Sequence, residues 1–166
     1  IVDPSPSAAE FARRAHVPLH ATLAALFAAE RTDGVIAATR NSLHVTNGID
    51  CIAHGVAVLI EKPVSDSIDD ARRLMAAADR AKVPVLVGHH RRHSPILEKT
   101  REIVQAGTLG SIVAVMGSAM FYKPDSYFDE GPWRRQPGGG PSRINMIHEI
   151  DDLRVMCGAV DEVQAL

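Results

Sequence analysis

Cysteine is nearly absent. The 166 residues hold two, Cys51 and Cys157, with no Cys-x-x-Cys pair. That excludes a disulfide-stapled scaffold and a four-cysteine metal site. Both thiols fall in predicted helices and are expected to be buried and reduced. Aromatic residues are scarce, at 4%, with a single tryptophan. No apolar run approaches the roughly 20 residues that a membrane-spanning helix needs, so no membrane partner is expected. A basic excess is missing too: 18 Lys plus Arg against 20 Asp plus Glu leave a net charge of −2. That argues against a nucleic-acid surface. No basic and apolar leader opens the chain, which points to the cytoplasm. The first residues, Ile1-Val2-Asp3-Pro4, lack Met and start inside a strand-like run, so the chain is expected to be a fragment.

What is present is an alternation of short β-branched runs and amphipathic helices. Ile1–Asp3 reads as a strand end, Ser7–Ala15 as a helix with Ser7 and Glu10 as a capping box, and Thr22–Glu30 as a second helix. Gly34–Ala38 reads as a strand, Val45–His54 as a helix stopped by Gly55, and Val56–Ile60 as a buried strand. Ile68, Ala71, Leu74, Met75 and Ala78 recur at helical spacing within Ser67–Ala81, and Val83–Gly88 is the next strand. Strands alternating with helices indicate a doubly wound parallel sheet.

After about His93 the pattern changes. A helix over Pro95–Ala106 precedes a longer predicted strand, Ser111–Phe121, and then a loop rich in Gly and Pro, Tyr122–Gly140. A helix over Pro141–Cys157 and a strand over Glu162–Leu166 complete the chain. The division predicted is 1–92 and 93–166.

Glu61-Lys62-Pro63 is the most informative triplet. Pro63 stops the strand before it, so a charged pair sits at the carboxyl end of a central strand, where open α/β sheets bind ligands. A lysine there is placed to stabilise negative charge that develops on a substrate oxygen. His89, His90 and His93 invite a metal reading, but adjacent residues of an extended segment point apart, and no cysteine or acid completes a tetrahedral set. No metal is expected. Arg91 and Arg92 are expected near the ligand edge, one of them buried or paired.

Several segments together resemble the Gfo/Idh/MocA family of glucose–fructose oxidoreductase and inositol dehydrogenase relatives. They are Asp3 at a strand end, Thr39-Arg40-Asn41-Ser42-Leu43-His44, Glu61-Lys62-Pro63, and Val87 through Pro95. Trp133-Arg134, Gly138-Gly139-Gly140 and His148-Glu149-Ile150-Asp151 continue the likeness. The resemblance implies a Rossmann-like sheet lacking its first strand, followed by the start of an α+β substrate domain. It also implies an oxidoreductase moving hydride between a nicotinamide cofactor and a hydroxyl or carbonyl of a sugar, polyol or related ring compound.

On that reading Asp3, Thr39, Asn41, His44, Glu61 and Lys62 contact the cofactor. Asp3 would accept hydrogen bonds from ribose hydroxyls and favour NAD, with NADP the other possibility. His44 would bracket the cofactor or cap the next helix. Lys62 and His148 would carry the chemistry, and Trp133, Arg134, Asn145 and His148 would meet substrate. His148 has the pKa range for proton transfer at neutral pH, with Asp152 or Asp151 as its carboxylate partner one turn on. Gly138–Pro141 lets backbone approach a ligand or simply reverses the chain. Family members usually associate, so a dimer or tetramer of the complete protein is implied.

Two departures stand beside the likeness. No Gly-x-Gly-x-x-Gly turn, the pyrophosphate cradle of such domains, occurs in the chain. Four residues before His148, where many relatives carry Asp, stands Ile144. A non-catalytic, cofactor-sensing binding protein of the same fold, or an inactive fragment, are the alternatives.

Overall fold

The computed structural model describes residues 1–136 and 138–164. It divides into two compact units, Ile1–Val87 and Gly88–Leu166. The first is built on three parallel strands in the order β1-β2-β3: β1 is Gly34–Ala37, β2 Ala57–Ile60 and β3 Val85–Val87. Gly34 pairs with Ala57 and Ala37 with Ile60, while Val58 meets Val85 and Ile60 meets Val87. All three strands therefore end on one edge.

Helices α1 (Pro6–Ala15), α2 (Leu23–Ala29), α3 (His44–Ala53) and α4 (Ile68–Ala81) complete this unit. Side-chain oxygens start two of them: Thr22 Oγ1 accepts from the Ala25 amide at 3.1 Å, and Ser67 Oγ accepts from Asp70 at 3.4 Å. α1 begins earlier than its sequence implies. Pro6 occupies the first turn, where its missing N–H costs nothing, so Ser5 and not Ser7 is the N-cap. Val2 forms an isolated parallel bridge with His20.

The core lies between α3, α4 and one face of the sheet. Val58, Ile60, Cys51 and Leu74 are buried there, each at or below 2% exposure. Gly48 of α3 is required by this packing: a Cβ on it would stand 2.8 Å from Leu74 Cδ1 and 2.9 Å from Ile60 Cδ1. The opposite face is open among the described residues. Ile36 and Leu86, both paired with Leu59, are 71% and 62% exposed. β1 also has a free edge, which opens on a cavity of about 820 Å³ lined by Val2, Thr22, Leu23, Gly34 and Ile36.

The second unit is mostly helical: α5 (Pro95–Gln105), α6 (Asp125–Asp129), α7 (Pro141–Ile144) and α8 (Ile147–Cys157). Short 3₁₀ turns cover His90–His93 and Pro132–Arg135. Four expectations fail here. Ser111–Phe121 is not a strand: it pairs with nothing among the described residues, and Val113 and Met116 are 96% and 98% exposed. β structure requires lateral partners, which a sequence pattern cannot supply.

The single helix predicted over Pro141–Cys157 is instead two. The amides of Asn145 and Met146 both donate to Pro141 O at 2.9 Å, and this breaks the regular ladder between α7 and α8. Residues 162–164 are irregular, and Ala165 and Leu166 of the predicted last strand lie outside the described residues. Cys157, expected to be buried, ends α8 exposed.

Candidate functional site

Because β1 and β2 run parallel, the loops after them leave the sheet on the same edge. Thr39 and Asn41 follow β1, and Glu61 and Lys62 follow β2. Asn41 is buried, and Lys62 is half-buried. Glu61 continues the sheet by donating its amide to Ala37 O at 2.9 Å, and its Oε2 accepts the Lys62 amide at 3.3 Å. Thr39 Oγ1 accepts from Asn47 Nδ2 at 3.1 Å, which ties the first loop to α3.

His44 sits between the two loops of this edge. It is 1% exposed and is the first residue of α3, whose N-cap is Leu43. Its Nδ1 lies 2.7 Å from Pro63 O and its Nε2 3.0 Å from Thr39 O. Both ring nitrogens are thus engaged by backbone carbonyls, one from each loop of the edge. The ring bridges the space between the two loops.

Asp3 Oδ1 accepts the Ser5 amide at 2.7 Å. The Ser5 side chain and then its amide hold this carboxyl below the usual range, so it stays ionised. Asp3 follows the isolated bridge at Val2, and Thr39, Asn41, Glu61 and Lys62 offer donors and acceptors at the carboxyl edge of the sheet. The pyrophosphate cradle has no counterpart among the 166 residues.

In the second unit, the His90–His93 turn packs against α8 through charge. Arg92 grips Asp151 with two bonds, Nε to Oδ2 at 2.7 Å and Nη2 to Oδ1 at 2.6 Å. Arg91 Nη1 donates to Glu149 Oε1 at 2.9 Å and to Asp152 Oδ2 at 3.0 Å. Both arginines are paired, where one was expected. Asp151 and Asp152, the carboxylates predicted as partners of His148, are each bonded by an arginine. The Arg92 hydrogen bond, then the nearby His89 and Arg92 charges, hold the buried Asp151 carboxyl below its usual range, against the upward push of burial.

His148 is buried in the first turn of α8. The His90 ring stands 4.7 Å away and the His89 ring 6.3 Å away, both edge-on. These two neighbours were expected to diverge. The chain curls into a 3₁₀ turn at His90, and both rings come to lie beside His148. Among the described residues no group of histidines, cysteines and acids is arranged to hold a metal.

Trp133 and Arg134 sit in the Pro132–Arg135 turn. Gly139 and Gly140 approach Arg134, and Gly140 also lines a cavity. Gly140 donates its amide to Arg134 O at 3.2 Å, and a Cβ on Gly139 would stand 2.6 Å from the same oxygen. Asn145 and Arg134 help line a cavity of about 380 Å³.

The pattern of an oxidoreductase family with an NAD-binding Rossmann fold, GFO/IDH/MocA, matches residues 1–89, and that of the GFO/IDH/MocA C-terminal domain matches 97–166. The chain belongs to the GFO/IDH/MocA oxidoreductase family. Among its relatives, the rhizopine catabolism protein MocA of Rhizobium meliloti is 32% identical over 86% of this chain and 43% of its own length. The 1,5-anhydro-D-fructose reductase of Ensifer adhaerens is 30% identical over 74% of this chain and 37% of its own. The WlbA dehydrogenase of Chromobacterium violaceum, crystallised with NADH and UDP-GlcNAcA, superposes with a TM-score of 0.89 at 29% identity. That match covers 95% of this chain and 46% of the dehydrogenase. The chain thus spans less than half the length of each of these relatives. No helix among the described residues is long and apolar enough to cross a membrane.

Proposed function

We propose that the chain is part of an NAD-dependent oxidoreductase acting on a hydroxyl or carbonyl of a sugar, polyol or related ring compound, with NADP as the less favoured cofactor. Residues 1–92 serve the cofactor and 93–166 begin the substrate domain. The observation that carries this reading is the common edge of β1 and β2, where Thr39, Asn41, Glu61 and Lys62 gather in a chain of this family.

When bound, the nicotinamide supplies the hydride acceptor. Asp3 accepts bonds from ribose hydroxyls, and its charge disfavours an added 2′-phosphate. Lys62 donates to the substrate oxygen and stabilises the negative charge that grows there as its proton leaves. The His148 imidazole takes that proton. Asn145 orients the substrate, and Trp133 and Arg134 belong to its surroundings. His44 shapes the cofactor edge through Thr39 and Pro63. The protein is assigned to the cytoplasm, and the complete polypeptide to a dimer or tetramer.

A panel of sugars and polyols assayed for NAD reduction tests the proposal. Turnover of at least one panel member, reduced about 100-fold or more by Lys62→Ala, is the expected result. Ile144 in place of an acid before His148 favours a second reading, a non-catalytic sensor. NAD binding with no product from any panel member would establish that alternative.

A further inference from the structure

The segment from Phe121 to Asn145 holds two cations that no acid offsets. Lys123 Nζ lies 4.8 Å from the Tyr127 ring centroid and 5.8 Å from that of Phe121. The Arg134 guanidinium lies 4.1 Å from the same Tyr127 ring and 5.4 Å from Trp133. Both cations are half-buried. Neither forms an ion pair among the described residues, whereas neighbouring Arg135 takes Asp129 at 3.2 Å.

Arg134 is also held in place. Its Nη1 donates to Tyr127 O. A Cβ on Gly131 would meet that nitrogen at 2.7 Å, and one on Gly139 would meet Arg134 O at 2.6 Å, so two glycines make room for this one residue. A guanidinium carries five N–H donors. Those beyond Tyr127 O find no partner among the described residues. Lys123, Tyr127, Phe128, Arg134, Ile144 and Asn145 line the 380 Å³ cavity. Its size falls in the roughly 300–1,000 Å³ range of small-molecule pockets.

Two cations sharing one aromatic wall repel each other unless a negative group lies between them. A guanidinium with free donors favours an acceptor that is planar or multidentate and charged, and such bonds are about twice as strong as neutral ones. The aromatic side chains offer apolar faces to a ring, and the Asn145 amide offers both a donor and an acceptor to hydroxyls.

We propose that this cavity recognises a sugar through an anionic substituent, a carboxylate or a phosphate, held by Lys123 and Arg134. The inference rests on the oxidoreductase reading for its place in a reaction and narrows the substrate class from sugars and polyols to acidic ones. Binding itself does not depend on that reading.

Calorimetric titration of the chain with D-glucuronate, D-glucose 6-phosphate, D-glucose and inorganic phosphate decides the matter. An anionic sugar should bind about 10-fold or more tightly than glucose, and the tighter of the two identifies the anionic group. Lys123→Met, which keeps the stem over the rings, should remove most of that advantage and leave glucose affinity unchanged. Arg134→Gln should also lower affinity for the anionic sugars, but its loop packs around the side chain, so Lys123→Met is the deciding variant. Equal affinity for glucose and the acids, no binding of any sugar, or no effect of Lys123→Met would overturn the proposal. Inorganic phosphate binding as tightly as the anionic sugars would reduce the cavity to a simple anion site and also overturn it. The two readings fail separately: anion-dependent binding with no turnover sinks the oxidoreductase reading alone, and turnover confined to neutral polyols sinks this one alone.

Discussion

Two buried histidines, one in each unit, are wired in opposite ways. His44 faces backbone on both sides, with Pro63 O at 2.7 Å and Thr39 O at 3.0 Å. His148 faces side chains: the rings of His90 and His89, and a helix turn whose carboxylates are claimed by Arg91 and Arg92. A neutral imidazole has one N–H, so a ring set between two carbonyls donates to one of them at a time and has a structural part to play there. A ring set among ionisable side chains, three carboxylates and two arginines, is the one to which the proposal gives the proton. Residue type and burial do not separate the two, since both are histidines below 10% exposure; the partners do.

The contrast makes distinct demands on mutation. His44→Ala should cost the most stability, about 3 kcal/mol, because it opens a cavity and removes the N–H that faces the Pro63 and Thr39 carbonyls. Chemical denaturation of the chain would show it, and a loss under 1 kcal/mol would mean that the loops hold without the ring. Asp151→Asn should cost about 2 kcal/mol, since it leaves Arg92 with a weaker, neutral partner.

Asp151 also gives the pH dependence a sign. Its folded pKa lies below the ordinary 3.8, so its contribution is complete well above that value and is lost as pH falls through it toward the folded pKa. Wild type should therefore lose stability on acidification in that range, and Asp151→Asn should lose less there. Equal acid slopes would remove Asp151 from the account.

Gly48→Ala should cost about 1–2 kcal/mol by crowding Leu74 and Ile60. It lies one turn beyond His44 on α3, so it also tests whether α3 must sit close for His44 to span the loops. The smallest effect concerns thiol chemistry. Burial, with a lesser contribution from the Asp50 charge, raises Cys51 to about 11. One thiol, Cys157, should react readily with a thiol reagent, and Cys51 only on unfolding.

How much of this the sequence shows depends on the range of the interaction. β2 and α4 are written in local apolar runs, and Pro63 marks where β2 must stop, so the edge that presents Lys62 is readable from a few neighbouring residues. The role of His44 is not, because its partners lie 5 and 19 residues away and are backbone atoms that no side-chain motif names. The arginine–carboxylate pairs are separated by 58 to 61 residues. Nothing local distinguishes Asp151 as a partner for Arg92 from Asp151 as a partner for His148. The same limit misled the reading of Ser111–Phe121, whose β-branched pattern satisfies strand preference while Val113 and Met116 stay almost fully exposed. Propensity is local, and pairing is not.

The most direct test compares His148→Ala with His44→Ala in the panel assay for NAD reduction, with NAD affinity and folding stability measured alongside. The account predicts that His148→Ala lowers turnover roughly 10²–10⁴-fold, as loss of a general base does, while stability and NAD affinity hold. His44→Ala should lose stability first. Turnover unchanged in His148→Ala would contradict the assignment of the proton to His148, and with it the division of labour between the two histidines.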